Sequence, residues 1–261
     1  MVTLSSNVLE GYNANEVVAE LKELLENYEM PKEFVYEFTG EQEEQAEQFA
    51  FLSRALLIAF SLIIFIIVLQ FNAISSPFII GTSVLFSLIG VLLGLVIFRM
   101  EFVILMTMIG IISLAGIVVN NAIVLIDYTN LLMDRRKAEL DIPEGQRLPF
   151  TEIRKAVEEG GKKRLRPVLL TAITTILGLL PLATGFNIDI VGFFTSLDPN
   201  IYIGGDNVMF WGPMSWAIIF GLTFATFLTL VIVPIMYYLV KKLKYAIIRV
   251  PVAQVNAGIT Q

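Results

Sequence analysis

The chain contains neither cysteine nor histidine. Without cysteine there is no disulfide and no thiolate metal site. Without histidine, the usual neutral-pH proton carrier and the commonest metal ligand are both gone. Any proton handling must use carboxylates or a partner segment. Charge is scarce too: Asp, Glu, Lys and Arg make up 16% of the residues, against 56% that are hydrophobic. A mean hydropathy of +0.75 is too high for a soluble domain of this length and puts the chain in the membrane class. Residues 1–11 lack the basic and apolar regions of a signal peptide. Acidic sequence leads straight into membrane, so we expect the C-terminal part of a longer protein.

The apolar runs predict a membrane all-α bundle of five transmembrane helices, preceded by a partial β-α-β unit of α+β character. Residues 1–40 form that unit: a strand over 2–9, a helix opened by the Asn13 and Glu16 capping pair, and a strand over 34–38. It is too small to bury a core alone and must pack on something else. A polar helical linker and the first membrane helix share 41–71. Further membrane helices are expected at 77–98, 102–127, 165–186 and 213–240, each long enough for a bilayer core of about 30 Å. The 129–163 connection should carry a short amphipathic helix through Phe150, Ile153 and Val157, lying along the membrane surface. It either holds two spans in register or senses lipid. The 187–212 loop is aromatic, and 241–261 is a tail.

Charge sets the orientation. The connection up to Arg166 holds ten basic residues, and the tail adds Lys241, Lys242, Lys244 and Arg249. Five crossings put both segments on one side, which the positive-inside rule makes cytoplasmic. Residues 1–50 and 187–212 then lie on the periplasmic side; the first carries twelve acids against Lys22 and Lys32.

The polar residues inside the spans are the candidates for function. Asn120 and Asn121 interrupt the apolar run from Phe102 to Ile126, and Asp127 follows seven residues after Asn120, on nearly the same helix face. An amide at that depth should face protein, a cavity or a wet path rather than lipid. Taken alone, the pair is either interhelical glue or part of a relay. Asp127 reads equally as an interfacial acid, Arg164 as one more positive-inside charge, and Thr171 as a hydroxyl bonded to its own helix backbone. Gly90 and Gly94 have the Gly-x-x-x-Gly spacing of a close helix contact. Met100, Met106 and Met108 read as core packing, because no histidine, cysteine or paired acid accompanies them. There is no Gly-rich phosphate loop and no nucleophile with a base, so the sequence indicates no enzyme, no metal site and no nucleic-acid partner.

Four stretches together resemble the last membrane helices of the resistance–nodulation–division (RND) efflux transporters, in the branch that exports hydrophobic and amphiphilic drugs. They are Gly116-Ile-Val-Val-Asn-Asn-Ala-Ile-Val-Leu-Ile-Asp-Tyr128, Arg164-Leu-Arg-Pro-Val-Leu-Leu-Thr171, Leu177-Gly-Leu-Leu-Pro-Leu182 and Val233-Pro-Ile235. The likeness covers essentially the whole chain, as the end of the last porter subdomain and membrane helices eight to twelve. It implies a homotrimeric inner-membrane permease that works with a periplasmic adaptor and an outer-membrane channel. The proton-motive force drives it, with no cofactor. Aspartates on the family's fourth membrane helix carry the proton, and no stretch here matches that helix. The resemblance therefore implies that this chain supplies the partner side of the relay. Asn120 stands where many drug exporters have a lysine. This is a departure, since an amide cannot act as a counter-ion. Arg164 and Thr171 match the arginine and threonine of that network. Two other readings stay open: an exporter of metal ions or lipids, and a non-transporting membrane scaffold.

Overall fold

In the computed structural model, residues 6, 14–28, 38–71, 75–143, 146–187 and 201–247 are described. They fall into two compact units, residues 1–53 and 54–261. In the first unit, α1 (Ala14–Glu26) is the predicted helix. Its apolar residues Leu21, Leu24 and Tyr28 are exposed. The Lys22 ammonium lies over the Phe38 ring at 5.3 Å. The strands expected at 2–9 and 34–38, and the Asn13 cap, lie outside the described residues or at their edge.

Among the described residues, five helices are long and apolar enough to cross a membrane. α2 (Glu41–Phe71) runs without a break from the polar linker into the first apolar span. α3 (Ser75–Phe98) ends where Arg99 takes a left-handed φ of 53°. The Met100 amide there bonds back to the Leu95 carbonyl at 2.9 Å, which satisfies a carbonyl the helix end would leave free. α4 (Ile104–Glu139) and α5 (Phe150–Thr184) follow. α6 (Asp206–Ile247) touches α3, α4 and α5 and is the hub of the bundle.

Three helices differ in their bounds from the sequence reading; one is α6, which runs from Asp206 to Ile247 and so starts inside the loop expected at 187–212 and continues into the tail expected at 241–261. α4 does not end at residue 127 but continues for 12 residues to Glu139. α5 starts at Phe150, so the expected surface helix and the fourth membrane helix are one helix. The cause is packing. Leu132 and Met133 on the α4 extension share a buried cluster with Leu148, Ile153, Ala156 and Val157. Charge reinforces it: Arg136 reaches Glu152 at 2.7 Å and Glu159 at 3.1 Å. The connection is thus a helical hairpin docked on itself. One consequence is that Pro167 sits in the interior of α5 and not at a helix start. It cannot donate to the carbonyl four residues back.

The glycine spacing on α3 is a packing notch. A Cβ on Gly90 would come within 2.5 Å of the Phe224 Cβ, and one on Gly94 would overlap the side chain of Phe220. The same seam is tight from the other side, where a Cβ on Gly221 of α6 would overlap Leu114 and meet Val91 at 2.7 Å. At the far end, α5 is capped by Gly185 at a φ of 71°. Strands β1 (Phe186–Asn187) and β2 (Tyr202–Ile203) then pair antiparallel, Phe186 with Ile203 and Asn187 with Tyr202. They close the base of the predicted loop, whose residues 188–200 lie outside the described part.

Candidate functional site

A helix of 3.6 residues per turn brings every third, fourth and seventh residue to one face. On α4 that rule collects Ser113, Gly116, Asn120 and Asp127 into one stripe, and all four are exposed. The neighbouring Val118, Val119 and Ala122 are buried in the bundle. A Cβ on Gly116 would meet nothing within 4 Å, so the stripe faces open space. Asn121 lies to one side and is half-buried. Among the described residues, neither Asn120 nor Asn121 makes a side-chain hydrogen bond. The polar stripe therefore lies on the outside of these five helices.

α5 carries a comparable face. Thr171, Thr174 and Gly178 are exposed. Nothing stands within 4 Å of a Cβ placed on Gly178. The Thr171 hydroxyl donates to the Val168 carbonyl at 2.9 Å, a bond within its own helix. Thr175 donates likewise to the Thr171 carbonyl at 2.8 Å. These bonds satisfy the hydroxyl protons and leave the oxygens able to accept from a partner.

Arg164 is not a free surface charge. Its guanidinium carbon lies 4.4 Å from the centre of the Tyr128 ring, in a cation–π contact between α5 and α4. Its Nε is buried with no hydrogen-bond partner. Close by, α4 and α5 also meet where Gly160 faces Thr129, and a Cβ there would lie 2.8 Å from the threonine hydroxyl. The structure thus brings Arg164 next to the end of the α4 stripe. Among the described residues, no hydrogen bond or ion pair joins Asn120, Asp127, Arg164 and Thr171 to one another.

Sequence reasoning singled out the amides, the acid, the arginine and the threonine. It passed over Ser113, Gly116, Thr174 and Gly178, which extend the same faces. Their signal was spacing: Ser113 is seven residues before Asn120, and Gly178 seven after Thr171. It also missed the hydrogen bond from the Tyr237 hydroxyl to the Asn130 amide oxygen, which joins α6 to α4.

Comparison with known proteins supplies the context. The profile described as the AcrB/AcrD/AcrF family matches residues 1–188. The swarming motility protein SwrC of Bacillus subtilis is 34% identical over 232 residues, which are 89% of this chain and 19% of that protein. The multidrug resistance protein MdtC of Erwinia tasmaniensis is 25% identical over 247 residues, 93% of this chain and 20% of its own. A crystal structure of a heavy metal efflux pump superposes with a TM-score of 0.62 at 25% identity, over 89% of this chain and 20% of that one. The chain spans about one fifth of the length of the relatives it matches.

Proposed function

The chain belongs to the AcrB/AcrD/AcrF family of resistance–nodulation–division permeases, and on that premise we propose that it forms the partner side of an intramembrane proton relay in a drug-exporting pump. In this reading Asn120, Asn121, Arg164 and Thr171, with Asp127 at the membrane exit, face a helix elsewhere in the permease that carries the titrating acids. The carrying observation is the polar stripe on α4, exposed and without hydrogen bonds in the middle of an apolar span. An amide left bare in hydrocarbon costs about 4–8 kcal/mol. That is too much for a lipid-facing position, so another protein segment covers it.

Asn120 can donate to a carboxylate and accept from a carboxylic acid. It therefore serves both protonation states without adding charge. Proton affinity in such a relay is governed more by desolvation than by ion pairing. Arg164 lies near the end of the stripe, against the Tyr128 ring. The whole pump is then a trimer in the inner membrane, with lipids around it and with a periplasmic adaptor and outer-membrane channel as partners. Residues 1–50 and 187–212 face the periplasm, and 129–163 and the tail face the cytoplasm. The test is Asn120→Leu in the full-length permease. Efflux of amphiphilic dyes should be lost while membrane abundance is kept, and Asn120→Gln should restore part of it. Normal efflux by the leucine variant would remove Asn120 from the coupling path.

A second reading is export of metal ions, favoured by the likeness to a heavy metal efflux pump. Parallel survival assays with amphiphilic drugs and with copper, silver and zinc salts separate the two. Protection against the salts alone would favour the metal reading.

A further inference from the structure

At the charged end of the bundle, a cavity of about 280 Å³ opens where α3 begins and α4 and α6 approach their ends. Among the described residues, Lys137 of α4 and Lys241 and Lys244 of α6 line it, and Asp134 is the one carboxylate that does. Among the described residues, no carboxylate lies within 4.0 Å of any of the three ammonium groups. Lys241 lies over the Tyr237 ring at 5.3 Å, which positions its charge without neutralising it. Among the described residues, the cavity thus has three cations against one anion.

The start of α3 adds directed donors. The helix has no acid in its first turn, so its N-terminal amides and dipole are uncompensated. Ser75 and Ser76 of that turn line the cavity. Ser76 is 5% exposed, yet its hydroxyl makes no hydrogen bond among the described residues. The contrast along the same helix is plain: Ser83 and Ser87 donate to the Ile80 and Val84 carbonyls at 2.6 and 2.7 Å. An unpartnered hydroxyl on a largely buried serine, a helix start and three unpaired ammonium groups share one small volume. Lys241 and Lys244 follow directly on an apolar span, and Phe71 and Leu148 give the cavity apolar wall.

We infer that this cavity binds a phosphate group, supplied by the headgroup of an anionic phospholipid or by free phosphate. Ammonium groups recognise phosphate as point charges. Basic pockets between membrane helices hold anionic headgroups by the same physics. The inference is independent of the relay, since its readout is binding and not transport.

The test is native mass spectrometry of the intact permease in non-ionic detergent, titrated with phosphatidylglycerol, with phosphatidylcholine and with inorganic phosphate. Phosphatidylglycerol should bind more tightly than phosphatidylcholine. The joint change Lys137→Gln, Lys241→Gln and Lys244→Gln should raise its Kd roughly 100-fold. A control set that removes equal charge from exposed positions, Arg135→Gln, Lys162→Gln and Lys242→Gln, should change it by less than about threefold, because these positions do not line the cavity. Asp134→Asn removes the opposing charge and should tighten binding several-fold, a gain that misfolding cannot imitate. Displacement of the lipid by millimolar phosphate would identify the free ion as the occupant, and its retention would identify the headgroup. Equal losses in the two lysine sets, no preference for the anionic lipid, or no gain in Asp134→Asn would each overturn the site.

Discussion

The Tyr237 hydroxyl donates to the amide oxygen of Asn130, across the contact between α6 and α4. Tyr237 is 3% exposed and belongs to the main buried cluster. Its sequence position gives no hint of this partner, since 107 residues separate the two. Tyr237→Phe keeps the ring and removes the bond. Side-chain bonds between membrane helices average about 0.6 kcal/mol and reach about 1.7. The variant should fall in that range, with a lowered melting temperature in detergent. Asn130→Ala should lower it by a similar amount, and the double variant should lose clearly less than the sum of the two. A strictly additive double variant would show that the two groups do not interact.

Gly94 and Phe220 form the tightest test of the helix seam. A side chain on Gly94 must displace the phenyl group. That ring is already stacked on Phe98 at 4.9 Å and on Trp216 at 5.2 Å, so it has nowhere to go. Overpacking a close contact costs about 1–3 kcal/mol. Gly94→Ala should therefore destabilise the bundle. Adding Phe220→Gly should recover part of the loss, because it also removes the Phe220 Cβ, which an alanine would keep against the new methyl. Thermal unfolding of the three variants decides it, and a lack of rescue would place the strain elsewhere.

The fold was legible wherever the signal was apolar length. All five spans and α1 were readable, because hydrocarbon length and helical period are local properties. The ends were not. Met133 and Arg136 look like loop residues in a charged stretch, yet Met133 packs in the cluster of Leu148 and Ile153, and Arg136 pairs with Glu152. Those partners lie 15 to 20 residues on, beyond any local pattern. The Gly-x-x-x-Gly spacing announced a contact, but only the structure shows that phenylalanines of α6 fill it. The candidate site was half legible. Asn120 stood out as an amide in hydrocarbon, while Ser113 and Gly116 are too small to register until the exposed face is seen. The lysines of the cavity read as ordinary positive-inside charges, because their convergence depends on where α4 and α6 end.

Arg136 holds the helical hairpin. It bridges Glu152 and Glu159, which are in turn paired with Lys155 at 2.7 Å and Lys163 at 2.9 Å. The Arg136 side chain is 25% exposed and that of Glu152 is 16%. Its removal should cost about 1–2 kcal/mol, between the exposed and fully buried limits. Arg136→Ala should also open the 140–149 link to proteolysis earlier than Arg154→Ala does. Among the described residues, Arg154 pairs only with Glu158, and both side chains are more than half exposed. Equal protease sensitivity in the two variants would mean that apolar packing alone holds the hairpin.

Arg164 separates charge from shape. The guanidinium carbon lies 4.4 Å from the centre of the Tyr128 ring, and its Nε is buried without an acceptor. A lysine at this position keeps the positive charge but loses the plane and the fork of donors. If the residue were one more positive-inside charge, Arg164→Lys would be silent. If its placement on the tyrosine matters, the loss is the stacking energy, about 0.5–2 kcal/mol, or up to roughly 30-fold in an equilibrium. Efflux in the full-length permease should therefore drop in Arg164→Lys at unchanged membrane abundance. Tyr128→Leu should produce a matching drop, and combining the two should add little, because each variant already breaks the same contact. Wild-type transport by the lysine variant would show that the cation alone is what this helix end requires.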